Sequence, residues 1–169
     1  IISSSSMTSQ YLVVYTSARP YLPYGVLTPM PTAEIEERYF NASKLFKVSA
    51  GTLSAELGDG EGIPASCREP YCFDMASNYL KTPFNLYTCY FSRSGFNAAL
   101  YHSCEVPGEY RKQLVERYGR VRIDWTGVDA DYVYYGPHER QFSQPHFEKD
   151  PKLLRIYQNP LVEIYRIKK

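Results

Sequence analysis

Apolar positions recur with helical spacing in the segment PTAEIEERYFNASKLFKV, three or four residues apart, at Ile35, Tyr39, Ala42 and Phe46. This spacing places the four side chains on one face of a helix, where they can meet a core. Thr32 precedes the run as a candidate N-cap, and acidic residues occupy the first turn. The pattern therefore predicts a helix from about Ala33 to Lys47.

A second helical pattern lies in the segment VPGEYRKQLVERYG. Pro107 suits the entry of a helix, and Gly119 suits its C-terminal end. Between them, Tyr110, Leu114 and Val115 share the face that would point towards the core. The sequence therefore predicts a second main helix in this region.

The last third of the chain changes to short runs of β-branched and aromatic residues, RVRIDW, DYVYY, LLRIY and LVEIYRI. Gln158, Asn159 and Pro160 separate the last two runs and predict a turn. We therefore expect a small, mostly antiparallel C-terminal sheet. Two main helices followed by clustered strands are typical of an α+β fold.

The start of the chain predicts a different organisation. Residues 1–10 are expected to form an extended arm, and the apolar run Tyr11–Tyr15 is expected to form a short strand. Neither an internal repeat nor a linker divides the remainder, so residues 11–169 are predicted to form a single α+β domain.

Three segments between these elements predict long loops or weakly patterned structure. Four prolines between Arg19 and Pro31 favour an irregular crossing loop. The glycine-rich, polar segment GTLSAELGDGEGIPAS predicts a surface loop. The apolar and aromatic segment from Cys72 to Cys104 fits two or three short helices, or one helix and a loop.

Composition and charge narrow the functional classes. Lys and Arg number 19 against 18 Asp and Glu, for a formal net charge of +1, which gives nucleic-acid binding no support. The longest uncharged apolar stretch, Phe84–Phe91, is far shorter than the roughly 20 residues that span a bilayer. The chain begins at Ile1 with a serine-rich segment, which suggests an end trimmed by removal of a targeting segment or by truncation.

Tyrosine is the compositional outlier, with 17 residues beside 8 Phe and 1 Trp. Its large ring and polar hydroxyl suit protein–protein interfaces, and they suit the inside of a tyrosine-rich sheet equally well. Both interpretations stay open at this point. Free polar ends normally fray, so we also expect a partner surface to hold the termini.

The cysteines Cys67, Cys72, Cys89 and Cys104 allow three interpretations. An even count permits disulfides in an oxidising compartment. A zinc site assisted by His102 is disfavoured, because only the pair in CREPYC is closely spaced. Free, buried structural thiols are favoured. A nucleophilic cysteine would need a base, for which the candidates are His102, His138 and His146.

The run GPHER, at the end of the predicted strand Asp131–Tyr135, brings three polar residues together. His138, Glu139 and Arg140 are candidates for contact with a ligand or a partner, because polar groups at strand ends often serve binding. Acid–base catalysis needs two positioned groups, and no second motif accompanies this one. We therefore expect a solvated strand end and predict no catalytic residue, cofactor or metal ligand.

The segments DYVYYGPHERQF and LLRIYQNPLVEIYRI give the last forty residues or so a resemblance to a known family. They are similar to the tail of membrane-embedded glycosyltransferases of the protein-mannosyltransferase type, whose extracytoplasmic domains often finish with a strand, a Gly-Pro turn and an IYR strand. The resemblance implies an extracytoplasmic C-terminal domain. The preceding chain lacks that family's hydrophobic spans, and no catalytic residue is carried over.

These observations favour a non-catalytic structural or accessory subunit of a large, organellar assembly, for example a mitochondrial one. Its partners would be other protein subunits, contacted through tyrosine-rich surfaces and extended termini. The alternatives are a small enzyme or ligand-binding module that uses the GPHER turn, and the glycosyltransferase domain.

Overall fold

The computed structural model describes residues 1–4, 6–22, 31–57 and 108–169. The four cysteines, His102 and most of the predicted proline-rich and glycine-rich loops lie outside these ranges, and the predictions about them stay predictions. The described helices are α1 (Ser6–Tyr15), α2 (Thr32–Leu45), α3 (Ala50–Leu57), α4 (Gly108–Arg120) and α5 (Pro137–Phe142). The strands are β1 (Tyr132–Tyr135), β2 (Leu153–Gln158) and β3 (Glu163–Ile167).

The two main predicted helices are confirmed as α2 and α4. Helix α2 begins at Thr32 itself, and Pro31 occupies the N-cap position that was expected of Thr32. Proline has no side-chain acceptor for the first N–H groups, but its fixed φ suits the entry of a helix. Helix α4 ends at Arg120, one residue after the predicted stop at Gly119.

The predicted C-terminal sheet is confirmed as a three-stranded antiparallel sheet in the order β1-β3-β2. Asn159 closes the turn between β2 and β3, where its side-chain oxygen accepts hydrogen bonds from the backbone N–H groups of Leu161 and Val162. The ladder between β2 and β3 shifts register between Arg155 and Tyr157, which places a β-bulge on the outer strand β2. The chain is therefore an α+β fold, as predicted.

Two of the expected strands are absent from the described residues. Tyr11–Tyr15 forms the second half of helix α1, and the helix begins at Ser6, inside the segment expected to be extended. A short apolar run does not distinguish helix from strand by its period. The free edge of β1 that such a strand could join is occupied by Ile2, whose N–H donates to the Tyr132 carbonyl at 2.8 Å and whose carbonyl accepts from the Tyr134 N–H at 2.9 Å.

The run RVRIDW forms no strand either, since residues 121–124 are irregular and lead into a 3₁₀ helix, Trp125–Gly127. Val121 and Ile123 pack against the core, which explains why apolar and polar residues alternate in this run although it pairs with no described strand. The predicted glycine-rich loop is also corrected at its start, because Gly51 to Leu57 belong to α3. Ser49 Oγ caps this helix by accepting from the Thr52 N–H at 2.9 Å, a signal that outweighs the glycine.

The core is built around Phe147, which lies in a 3₁₀ helix between β1 and β2. Its ring makes edge-to-face contacts, with centroid distances from 5.1 to 5.6 Å, with Phe46, Trp125, Tyr135 and Tyr165. Such aromatic pairs stabilise the fold by more than the burial of their apolar surface alone. Phe147 therefore joins the inner face of the sheet to α2 and to the Trp125 turn.

Tyrosines occur both in the core and on the surface. Tyr39, Tyr118 and Tyr165 are fully buried. By contrast, large exposed surfaces remain on Tyr11, Tyr15, Tyr132 and Tyr157. Internal packing therefore explains some of the tyrosines, and the exposed group requires another explanation.

Replacing Phe147 by Ala should lower the free energy of unfolding by about 3 to 5 kcal/mol, because the change removes a buried ring that four aromatic residues contact. Tyr15→Ala is the matched control, since the Tyr15 side chain is 77% exposed. Urea unfolding followed by circular dichroism measures both. Equal losses for the two variants would show that Phe147 is not the centre of the core.

Candidate functional site

The GPHER segment is a helical turn that starts where β1 ends. Gly136 is the N-cap of α5, and Pro137 occupies the first turn, where its missing N–H costs nothing. A side chain at Gly136 would collide with the ring of Tyr134, which lies 2.7 Å from the place of a Cβ. The close approach of this ring explains why position 136 is a glycine. The turn places His138, Glu139 and Arg140 in three different environments.

Glu139 is completely buried, with 0% of its surface exposed. One carboxyl oxygen accepts a hydrogen bond from Ser3 Oγ at 2.6 Å, and the other accepts from the Gly136 N–H at 2.9 Å. This differs from the expectation of a solvated or partner-facing residue. Glu139 holds the start of the chain against the end of β1, so it positions structure and does not face solvent.

Arg140 connects the same turn to the β2–β3 hairpin. Its guanidinium donates to the Leu161 carbonyl at 3.0 Å and to Glu163 Oε1 at 2.7 Å. It also lies over the ring of Tyr135, 4.9 Å from the centroid. These contacts hold the guanidinium inside the molecule, against the hairpin and the Tyr135 ring.

Glu163 collects further polar partners beside a cavity of about 290 Å³. The Tyr165 hydroxyl donates to Glu163 Oε2, and Arg155 lies 3.9 Å from the same oxygen. Burial and the hydrogen bond to Glu163 hold the pKa of Tyr165 well above its usual range. Tyr165 therefore stays protonated at neutral pH and cannot act as a base there. The cluster is a satisfied network that stabilises the hairpin.

His138 lines a different groove from Arg140, which borders the 290 Å³ cavity. The α1 groove, as we name it, has a volume of about 360 Å³ and runs between α1 and the hairpin turn. Its lining is mainly aromatic and aliphatic and includes Tyr11, Leu12, Tyr15, Tyr134, Pro137, His138, Leu161 and Val162. Such a lining suits apolar contacts better than acid–base chemistry.

The outer side of the sheet continues this apolar surface. Strand register places Tyr132, Arg166 and Leu154 in one row across the sheet. It places Tyr134, Ile164 and Tyr157 in the next row. We call this side the open face, because Tyr132, Leu154 and Tyr157 on it are exposed. Tyr134 belongs to both the open face and the α1 groove, so the two form one continuous surface.

The open face carries one exposed cation among its apolar residues. Arg166 lies at the centre of the sheet, on β3, and no residue of the described ranges forms an ion pair with it. Exposed charges near neighbours of opposite sign normally pair, as Lys169 does with Asp131 at 2.8 Å. Arg166 therefore offers a free charge to a ligand or a partner.

Sequence reasoning missed the residues that give GPHER its structural role. Glu139 follows the N-cap by three positions, which is the spacing of a capping box and could have indicated a helical turn. No sequence signal pointed to Ser3, because it lies 136 positions from Glu139. Within the described ranges, no group of His, Cys, Asp and Glu could hold a metal ion, and no helix is long and apolar enough to cross a membrane.

The hydrogen bond between Ser3 and Glu139 should be measurable in a double-mutant cycle. Ser3→Ala and Glu139→Gln should each lower the free energy of unfolding by about 1 to 3 kcal/mol, because each leaves a buried polar group poorly satisfied. The double variant should lose less than the sum of the two. Urea unfolding measures all three, with Glu109→Gln as the exposed control. Strictly additive losses would contradict the contact.

No protein-family model matches the chain. Comparison with curated proteins and with solved structures likewise gives no significant match. The similarity of the C-terminal segments to the protein-mannosyltransferase type therefore stays a prediction.

Proposed function

We propose that the chain is a non-catalytic subunit of a protein assembly and that it binds a partner protein through the open face and the α1 groove. The observation that carries the proposal is the continuous apolar surface that these two regions form. Contiguous apolar surface of this kind marks interaction sites, because scattered single residues are the norm elsewhere.

Helix α1 supports the proposal independently. One side of it packs inward through Thr8 and Ser9, which are buried. Its other side exposes Val13 and Val14, and Val14 is 67% exposed. A helix that is apolar on several sides is normally covered on several sides. A partner that covers α1 and the groove together would bury these residues.

The bulge on β2 favours contact through the face of the sheet over contact through its edge. An unpaired edge strand can add a strand from another chain, and bulges are one of the ways in which proteins prevent this. The bulge between Arg155 and Tyr157 interrupts the regular edge. Side chains of the open face, and not the backbone of β2, are therefore the contact groups of the proposed interface.

The partner that fits is a protein surface with apolar side chains and a carboxylate. The carboxylate would pair with Arg166, which has no ion pair among the described residues. Tyrosine and arginine are enriched at interfaces, and a planar guanidinium can bind a carboxylate through two hydrogen bonds. That the assembly is organellar stays a prediction from the sequence. Within the described ranges, no observation favours the alternative of a small enzyme that uses the GPHER turn.

Charges introduced on this surface should release the chain from its assembly. Tyr157→Asp combined with Leu161→Asp places two carboxylates where both wild-type side chains are exposed, so the fold should persist. We expect the fraction of chain that sediments with the native assembly to fall about tenfold or more, as expected for residues at the centre of an interface. Gln113→Asp, on the exposed surface of α4, is the matched control and should leave the fraction unchanged.

Three results would overturn the proposal. The first is sedimentation of the wild-type chain from its native cells as a monomer. The second is unchanged incorporation of the double variant while circular dichroism shows a normal fold. The third is a dimer of the purified chain that Tyr157→Asp dissociates, because the partner would then be a second copy.

A further inference from the structure

Another concave site lies where the C-terminal ends of α2 and α4 come together. Residues in the last turn of α2, just after α2 and just after α4 form an open pocket of about 410 Å³, which we call the basic pocket. It is lined by three cations and three aliphatic side chains, Lys44, Lys47, Arg122, Val48, Val121 and Ile123. The pocket shares no residue with the open face or the α1 groove.

The three cations gather without a carboxylate. No acidic residue of the described ranges lines the pocket, and within these ranges none of the three forms an ion pair. Lys44 instead lies over the ring of Tyr118, with its Nζ 4.1 Å from the centroid. Partial burial and the nearby charge of Arg122 lower the pKa of Lys44. An anion in the pocket would relieve this repulsion between like charges.

The end of α4 holds the guanidinium of Arg122, and the end of α2 fixes the backbone of Lys47. Arg122 Nη1 donates to the carbonyls of Gly119 and Val121 at 2.9 and 3.0 Å, which leaves its other donors free to face the pocket. Lys47 has a φ of 60°, the left-handed conformation that usually selects glycine after a helix. A lysine at this position keeps a positive charge where glycine would be the ordinary residue.

The negative ends of the two helix dipoles offset part of the positive charge in the pocket, but not all of it. Each C-terminus carries about half a negative unit on its free carbonyls, so α2 and α4 together offset about one of the three cations. About two positive units remain, which matches the charge of a phosphate monoester, about −1.5 to −2 at neutral pH. Val48, Val121 and Ile123 then offer apolar contact to whatever the phosphate is attached to.

We propose that the basic pocket binds the phosphate group of a small phosphomonoester whose apolar or aromatic part lies on the three aliphatic side chains. A nucleic-acid backbone fits less well, because a polyanion needs a cationic track. The exposed cations further along α4 are paired with acids, Lys112 with Glu109 at 2.8 Å and Arg120 with Glu116. The site is concave and local, and it suits one phosphate.

Phenyl phosphate, inorganic phosphate and benzoate titrated into the purified full chain test the proposal by calorimetry. Phenyl phosphate should bind most tightly, because it alone combines the dianion with an aromatic ring. Lys47→Gln with Arg122→Gln should weaken its binding about tenfold or more, since hydrogen bonds from charged groups to phosphate are the strong ones. Lys112→Gln removes an exposed cation outside the pocket and should change nothing.

Arg122 also supports the end of α4, so Lys47→Gln alone provides a second variant that does not depend on that contact. It should weaken binding of phenyl phosphate several-fold while the unfolding curve stays the same. Absence of phenyl phosphate binding at millimolar concentration would overturn the proposal. So would equal affinity for Lys47→Gln and the wild type, or tighter binding of a single-stranded oligonucleotide than of phenyl phosphate.

Discussion

The buried carboxyl group of Glu139 is the constraint on which the arrangement of the sheet depends. A polar group that is removed from water costs free energy unless it is hydrogen bonded, and both oxygens of Glu139 are, to Ser3 and to the Gly136 N–H. Because these partners come from the start of the chain and from the end of β1, satisfying Glu139 requires both to meet. Arg140, the next residue, extends the connection to the β2–β3 hairpin.

This junction of Ser3, Glu139 and Gly136 determines which surfaces of the sheet are exposed. Ile2, held close to Glu139 through Ser3, covers the outer edge of β1, and α1 follows directly along the groove. Phe147 and its aromatic neighbours cover the inner side. The outer side keeps Tyr132, Tyr157 and Arg166 exposed, and a sheet that is packed on one side only needs a polar outer side or a partner. The outer side here is largely apolar, which is why we propose that a partner protein covers it.

The sequence predicted those elements whose period is distinct. Helices α2 and α4 have apolar residues three and four apart, and the last strands have a marked β-branched and aromatic composition. Helix α1 was not predictable in this way, because YLVVY fits either structure and only the occupation of the β1 edge by Ile2 decides between them. Helix α3 was not predicted because Gly51 near its start favours a loop, although Ser49 is a residue type that caps helices.

The candidate site was only partly predictable, for a physical reason. The sequence indicated GPHER as a polar strand end, but a polar residue can be buried wherever distant partners satisfy it, and Ser3 is such a partner of Glu139. The sequence could not predict which tyrosine rings face the core and which face solvent, because tyrosine suits both sides of a sheet. The basic pocket depends on two helix ends meeting, and Lys44 and Arg122 belong to segments that sequence spacing does not relate.

Chemical modification of tyrosine, read out by mass spectrometry, can show whether a partner covers the open face when the isolated chain is compared with the native assembly. If the open face and the α1 groove form the proposed interface, four exposed rings should react in the isolated chain and be protected in the assembly: Tyr11, Tyr15, Tyr132 and Tyr157. Tyr39, Tyr118 and Tyr165 are internal references that should stay unreactive in both states. Equal reactivity of the exposed rings in the two states would contradict the proposed interface.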